Sequence, residues 1–284
     1  MATVTKKAGT IASPKQLSDE EYLALDEVEF RARFRERAHH TLEIQLYASA
    51  YRSRPISATQ ADTAKRLLGL WERRALSKDE HDYAYVTGLV TLAEESASGT
   101  IPDFSRFSPR ALSHADTEAF FTVVRDRRSV REFKADRVPD ELIDRVLDAG
   151  LWAAHSCNLQ SIRYLVIREE NAPGLFKGSD VPGGPVHLVV LQDERVYRAN
   201  PYMPERNLTL DAGAAAQNIA LAAHATGLEG VWLTFNDEII ARLRERFALP
   251  DYIRIVTYVD VGYGDQTPMP VCRPKVGAVV LGRV

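Results

Sequence analysis

Residues 127–133 of the chain read Arg127-Arg128-Ser129-Val130-Arg131-Glu132-Phe133. The stretch places three guanidinium groups and a hydroxyl within five residues, directly before a short extended segment. Because planar guanidinium groups bind phosphate oxygens in pairs and a serine hydroxyl adds a further donor, the pattern favours an anion site. A solvated basic turn on the surface has the same composition and remains the alternative.

A second polar string follows one helix later. Residues 155–160 read His155-Ser156-Cys157-Asn158-Leu159-Gln160, between a strongly apolar helix and a strand. The side-chain amides of Asn158 and Gln160 carry both donors and acceptors, which suits the edge of a heteroaromatic ring. An ordinary helix-to-strand loop is the alternative interpretation.

The composition is that of a globular chain with a substantial core: 284 residues, 45% hydrophobic and 26% charged. The 36 Lys and Arg residues against 39 Asp and Glu residues leave a net charge of −3, so any anion site must be local and we expect no nucleic-acid partner. Two cysteines are too few for a disulfide framework or a four-thiolate zinc site. Residues 1–15 lack the apolar region of a secretory signal, and residues 212–228 are too often interrupted by polar groups to span a membrane. We therefore expect a cytoplasmic protein without a membrane partner.

The pattern along the chain divides it into three segments. Residues 1–17 lack periodicity and predict a flexible tail. Residues 18–109 form a helical N-terminal extension, since apolar residues recur at helical spacing over 30–51, 59–74 and 77–95. Ser18 with the acidic residues behind it predicts the first helix start, and the turn-rich residues 96–109 predict a linker.

Residues 110–284 show a mixed pattern of helices and strands. Short segments rich in β-branched and aromatic residues predict strands at 164–167, 187–191, 231–235 and 253–261. Helices are expected at 138–154, 208–225 and 237–247. Long helices with a few non-adjacent strands favour a layered α+β domain.

The two polar strings, taken with two later blocks, resemble the nitroreductase family of FMN-dependent oxidoreductases. The first block is residues 210–232, with Asp211-Ala212-Gly213, Gln217-Asn218 and Trp232, and the second is Gly262-Tyr263-Gly264 followed by Arg273-Pro274-Lys275. The resemblance covers about residues 116–284. It implies an α+β nitroreductase-like fold with a central mixed or antiparallel sheet flanked by helices, so that 110–284 is the FMN-binding domain.

The resemblance also implies a set of site residues. Five would contact the FMN phosphate, ribityl chain or ring edge: Arg127, Arg128, Ser129, Arg131 and Arg273. Three in the second string would hold the flavin: Ser156, Asn158 and Gln160. Leu233 and Thr234 match the position from which the family directs donors at the reactive flavin nitrogen, and Thr234 is the expected catalytic residue. No metal is implied.

By the same resemblance, NADH or NADPH reduces FMN at a homodimer interface, and a small nitro, quinone or other conjugated acceptor reoxidises it in a ping-pong cycle. Two alternatives stay open: specialised flavin chemistry, such as reductive dehalogenation or flavin fragmentation, and a flavin-binding protein without catalysis. The segment 192–207 is short compared with the lids of relatives. We therefore expect the N-terminal helices or the partner subunit to complete the cover over the flavin.

Weaker patterns point elsewhere. His39, His40 and Glu43 have helical spacing that can bind a metal, but a partly exposed helix face explains them better, because the spacing indicates no third ligand. His155 and Cys157 together suggest that Cys157 is a nucleophilic thiol, but a separation of two residues does not place the two side chains face to face. We expect the aromatic residues Trp71, Tyr83, Tyr85 and Trp232 to lie in the core.

Overall fold

The computed structural model describes residues 17–52, 54, 56–181 and 184–284. Its backbone divides into two compact units. Unit 1 consists of the described residues up to Pro109 together with His155–Ser161 and Glu194–Pro204. Unit 2 consists of Arg110–Ala154, Ile162–Asp193 and Glu205–Val284. The tail predicted for residues 1–17 lies, apart from Leu17, outside the described residues.

Unit 1 is built from helices. Their bounds are α1 Asp19–Ala24, α2 Glu27–Ala38, a π-helix His39–Glu43, α3 Ile44–Arg52, α4 Ala58–Arg73 and α5 His81–Ala97. Ser18 caps α1 as the sequence predicts, because its hydroxyl accepts from the Glu21 backbone N–H while the Glu21 carboxylate accepts from the Ser18 backbone N–H. The apolar periodicity over 30–51 spans three successive helical pieces instead of one regular helix, since the π-helix interrupts it.

Aromatic side chains form the core between these helices. Phe30 and Phe34 of α2 stack at 6.1 Å between ring centroids, and both contact the indole of Trp71 on α4. All three are fully buried. Trp71 thus lies in the core as expected, and Tyr83 and Tyr85 pack against this core while keeping part of their surface exposed.

A smaller core within unit 1 attaches the two later segments to α2. Leu159 is fully buried and packs with Ala32 of α2 and with Val196 and Ala199. Residues 155–161 and 194–204 therefore bury apolar side chains in one cluster with the helical segment.

Unit 2 contains a four-stranded antiparallel sheet in the order β1-β2-β4-β3. Its elements are α6 His114–Asp126, α7 Asp140–Leu151, β1 Ile162–Arg168, β2 Val186–Asp193, α8 Arg206–Ala225, β3 Glu229–Leu233, α9 Asp237–Arg246, β4 Ile253–Gly262 and α10 Val276–Val279. The predicted strands and helices are all present, with ends shifted by a few residues. This confirms the expected α+β class, and the sheet is antiparallel throughout.

The central strand β2 is buried along its whole length and serves both faces of the sheet. Val186, Leu188 and Val190 pack in one cluster with α7 and α8. Val189 and Leu191 pack in another with α9. Side chains that alternate along β2 therefore contribute to two cores, one on each face of the sheet. This explains why the sequence of the strand is a continuous apolar run.

The expectation that Trp232 lies in the core is wrong. The residue is on β3, an edge strand of the sheet, and its side chain is 43% exposed. Its indole N–H donates to the Thr257 hydroxyl at 2.6 Å, so the ring is oriented across the sheet without being covered. An amphipathic ring suits such a half-exposed position.

None of the described helices has the length and apolar character needed to cross a membrane.

Candidate functional site

The basic stretch begins where α6 ends. Arg127 is the C-cap residue of this helix, and its guanidinium is half-buried. Burial lowers the pKa of Arg127, and the positive charges of Arg273 and Arg128 lower it further, while Glu229 acts in the opposite direction. Arg127, Arg128 and Arg273 therefore form one cluster of positive charge, although Arg273 lies 145 positions after Arg128 in the sequence.

The charge of this cluster is not neutralised by ion pairs. In the described part of the chain, neither these three arginines nor Arg131 approaches a carboxylate oxygen within 4.0 Å. Instead, Arg128 donates to the backbone carbonyl of Arg127 at 3.1 Å, Arg131 to that of Ser129 at 3.5 Å and Arg273 to that of Cys272 at 3.0 Å. Neighbouring guanidinium groups without a close ion-pair partner fit a phosphate, whose oxygens would accept their hydrogen bonds.

Backbone hydrogen bonds hold the basic stretch against the sheet. Ser129 forms a bridge with Gly230 of β3, and the Val130 N–H donates to the Gly230 carbonyl at 3.2 Å. Only glycine fits at position 230, since a Cβ there would lie 2.4 Å from the Asp260 carbonyl oxygen. Beyond Val130, the Arg131 N–H donates to the Gln266 side chain at 2.9 Å. The cluster is therefore fixed at the start of β3.

Leu233 and Thr234 lie at the other end of the same strand. Leu233 is the last residue of β3, and Thr234 follows it with an exposed side chain. Thr234 lies four positions after Gly230, which is about 13 Å along a strand. The spacing suits an elongated ligand with an anionic end at the arginines and a ring near Thr234.

The other three predicted site residues lie in unit 1. Ser156 and Asn158 belong to a 3₁₀ turn, and Gln160 follows it. The Gln160 amide donates to Asn158 Oδ1 at 3.3 Å, and its oxygen lies 3.1 Å from His81 Nε2. The structure thus groups the candidate residues in two sets, with Arg127, Arg128, Ser129, Arg131, Leu233, Thr234 and Arg273 in unit 2.

The backbone of this loop adopts an unusual conformation. Cys157, Asn158 and Gln160 have φ values of 48°, 51° and 57°, in the left-handed region that residues other than glycine rarely enter. Such residues cost about 1–3 kcal/mol each and persist only where the surroundings hold them. The loop therefore needs an anchor.

Arg35 of α2 supplies that anchor. Its guanidinium is buried and donates to the Leu159 carbonyl at 2.8 Å. The same group donates to both carboxylate oxygens of Asp82 at 2.9 Å, and Arg31 donates to Asp82 Oδ2 at 2.7 Å. Sequence reasoning missed Arg35 and Asp82, because no local pattern connects them to a loop more than 70 residues further along the chain.

The structure also shows the surroundings of the two histidines that the sequence offered as metal ligands. His39 Nδ1 lies 2.5 Å from Glu43 Oε2, whereas His40 Nδ1 lies 3.2 Å from Glu36 Oε1. The two rings thus contact different carboxylates. Within the described ranges, no group of three or more His, Cys, Asp or Glu residues is arranged to hold a metal ion.

Comparison with known proteins places these features in a family. The sequence model of the nitroreductase family matches residues 124–177 and 172–263. A solved chain from Desulfovibrio desulfuricans, described as a nitroreductase in complex with FMN, is 30% identical, with a TM-score of 0.50 over 58% of this chain and 96% of that one. The NADPH:FMN oxidoreductase of Vibrio harveyi, solved with NAD+, is 25% identical, with a TM-score of 0.50 over 58% of this chain and 77% of that one.

A curated relative agrees with these matches. A protein of Methanothermobacter thermautotrophicus, described as an NADH dehydrogenase/NAD(P)H nitroreductase, is 28% identical over 152 residues, which are 51% of this chain and 77% of that protein. The resemblance inferred from the motifs is thereby confirmed. The chain has the fold and the order of motifs of these relatives, and it covers 96% of the Desulfovibrio desulfuricans protein, to which it is 30% identical. It therefore belongs to the nitroreductase family.

Proposed function

We propose that this chain is an FMN-dependent oxidoreductase that takes hydride from NADH or NADPH and reduces a nitro, quinone or other conjugated small molecule. The observation that carries the proposal is the cluster of Arg127, Arg128 and Arg273, which has no ion-pair partner within 4.0 Å among the described residues and lies one strand length from Thr234. The relatives support it, since one was solved with FMN and another is named as an NADPH:FMN oxidoreductase.

The basic residues bind the anionic part of the cofactor in this proposal. Arg127, Arg128 and Arg273 hold the phosphate, where their charges replace the hydration of the anion. Ser129 and Arg131 contact the phosphate, the ribityl chain or the ring edge. Binding is favourable because the free site keeps like charges close together; burial lowers the pKa of Arg127 most, and the charges of Arg273 and Arg128 lower it further.

The remaining candidate residues orient the ring. Ser156, Asn158 and Gln160 offer a hydroxyl and two amides to its polar edge, while Leu233 and Thr234 offer backbone and hydroxyl donors at the end of β3. FMN, when bound, supplies the capacity to accept hydride from the nicotinamide and pass electrons to the acceptor. The task of Thr234 is to stabilise negative charge with a hydrogen bond from its backbone N–H or Oγ1, and it needs no titratable side chain for this.

We further propose that the protein acts as a homodimer in the cytoplasm. Helix α6 supports the dimer, because this 13-residue helix has no buried residue and exposes Phe120, Phe121 and Val124. Leu210 on α8 is also exposed. A second copy of the chain would cover such apolar side chains. Completion of the cofactor's cover by the helical extension or by the partner subunit remains a prediction.

The test is the visible absorption spectrum of the purified protein, followed by release and identification of the chromophore. We expect the bands of oxidised flavin, a chromophore identified as FMN, and bleaching in an anaerobic titration with NADH or NADPH. Recovery of the bands on adding a quinone or nitroarene would complete the cycle. A colourless protein that cannot be loaded with FMN contradicts the proposal. FMN that no nicotinamide reduces or no acceptor reoxidises would favour a binding protein without catalysis.

A further inference from the structure

Cys157 lies in a constellation that the proposed flavin chemistry does not use. Its sulfur is 4.0 Å from Nε2 of His40, which comes from the π-helix after α2. The thiol is partly buried, and all the groups concerned belong to unit 1. The sequence suggested His155 as the only nearby histidine, but the structure brings Cys157 to a histidine 117 residues away.

The other side of the His40 ring faces a carboxylate. Nδ1 lies 3.2 Å from Glu36 Oε1 and 3.3 Å from the Glu36 carbonyl oxygen. Both are acceptors, so in the neutral ring the proton belongs on Nδ1, which leaves the lone pair of Nε2 facing the sulfur. Catalytic thiols are activated by this arrangement, in which a base contacts the nucleophile and a carboxylate orients the base.

The charges around His40 favour its protonated form. The hydrogen bond to Glu36 raises the pKa of His40, burial and the positive charge of Arg37 act against this, and the charge of Glu36 adds to the rise. Another titratable neighbour is His39, whose ring meets that of His40 edge-on at 4.9 Å between centroids. A thiol beside an imidazolium loses its proton more readily than an ordinary cysteine.

Asn200 also contacts the sulfur. Its Nδ2 lies 3.7 Å from Cys157 Sγ and 3.4 Å from Glu36 Oε1. A side-chain amide donor at that position stabilises a thiolate, because it adds a hydrogen bond that a neutral thiol accepts only weakly.

We propose that Cys157 is a nucleophilic thiol, activated by His40 and Glu36, and that it is a site of covalent modification by conjugated carbonyl compounds. In the reaction the thiol proton passes to His40 Nε2 and the sulfur lone pair forms a bond to the β-carbon. The alkene π pair moves to form an enolate, and the proton on His40 returns to the α-carbon. The product is a thioether, with no change in the total of protons or electrons. The inference does not depend on FMN.

The second cysteine provides an internal control. Cys272 is exposed and makes no hydrogen bond or ring contact with a histidine in the part of the chain that the structure describes. An ordinary thiol has a pKa of about 8.5, so its thiolate fraction falls about tenfold per pH unit below that value. The ratio of the two modification rates therefore measures activation of Cys157, because both sites meet the same reagent.

The experiment uses the full chain and N-ethylmaleimide, a conjugated carbonyl electrophile. Short pulses at pH 6 to pH 8 are quenched, and the alkylated peptides of Cys157 and Cys272 are quantified by mass spectrometry. We expect the rate ratio of Cys157 to Cys272 to rise at least about tenfold from pH 8 to pH 6. A ratio that is constant across this range, or a Cys157 that is not alkylated at all, overturns the proposal.

Substitutions identify the base. His40→Gln should abolish the rise of the ratio at low pH, and Glu36→Gln, which keeps the imidazole, should reduce it. His39→Gln is the matched control, because the neighbouring ring pairs with Glu43 and should leave the ratio unchanged. Equal loss in His39→Gln and His40→Gln would mean that disturbance of the π-helix, not a missing base, causes the effect, and would overturn the assignment of His40.

Discussion

At the scale of single residues, Arg127 is the most direct test of the phosphate site. Its guanidinium is half-buried beside two like charges, so an anion relieves repulsion as well as accepting hydrogen bonds. A hydrogen bond between charged groups contributes roughly 1.5–3 kcal/mol. Arg127→Ala should therefore weaken FMN binding by about 10- to 100-fold, measured by quenching of flavin fluorescence on titration of the apoprotein. Arg128→Ala should act in the same direction.

The control for this prediction is Arg145→Ala. Arg145 is an exposed arginine on α7, and its removal changes the net charge of the protein by the same amount. If both variants weaken FMN binding equally, the effect comes from net charge and the cluster is not the phosphate site. Unchanged affinity in Arg127→Ala would have the same consequence.

The sequence predicted the parts of the site that depend on local pattern. Three arginines in five residues are visible without a structure, and so is the Asn158-Leu159-Gln160 loop. The contact of Cys157 with His40 was not predictable, because it depends on how α2, the π-helix and a distant loop pack. The left-handed backbone conformation of the loop could not be predicted from the sequence either, since none of its residues is glycine.

At the scale of secondary-structure elements, α2 and α5 are joined by a buried carboxylate. Asp82 is fully buried and accepts from Arg31 and Arg35, and Arg35 in turn holds Leu159. Removing one partner of a buried ion pair leaves an uncompensated charge and costs about 3–5 kcal/mol. Asp82→Asn should lower the free energy of unfolding by about that amount, as measured by urea denaturation.

Glu80→Gln serves as the matched control. Glu80 also accepts from Arg31, at 2.6 Å, but its side chain is 39% exposed. Exposed ion pairs contribute about 1 kcal/mol or less, so this variant should stay close to the wild type. Similar losses in the two variants would show that burial of Asp82 does not determine the strength of the network.

The elements themselves were largely predictable, and the exceptions have physical causes. The four strands and the long helix α8 follow from β-branched runs and helical periodicity. The π-helix His39–Glu43 did not show in the pattern, because the buried residues Ala38, Leu42 and Leu46 keep a spacing of four that an α-helical repeat also contains. Trp232 was misplaced since composition identifies an apolar side chain but not the edge of the sheet on which it lies.

At the scale of the whole molecule, the exposed apolar side chains of unit 2 need an explanation. Phe120 on α6 is 57% exposed and Leu210 on α8 is 62% exposed. Helix α6 has no buried residue, so it gains little packing energy within unit 2, and isolated helices of this length are marginal in water. A partner surface, which the proposed homodimer would supply, would therefore stabilise α6.

A charge placed on this surface tests the dimer. Phe120→Asp and Leu210→Asp should each weaken association by about 2 kcal/mol or more, because a desolvated carboxylate without a partner opposes burial. Sedimentation velocity over a range of protein concentrations measures the change. Phe247→Asp is the control, since it places the same charge at an exposed aromatic residue at the end of α9, and it should leave the dimer intact. If the wild-type chain is monomeric at every concentration, or the control dissociates as readily as the other two, α6 is not at a subunit interface. If the cofactor is held between subunits, as the resemblance to the family implies, the two dissociating variants should also lose FMN on dilution while Phe247→Asp retains it.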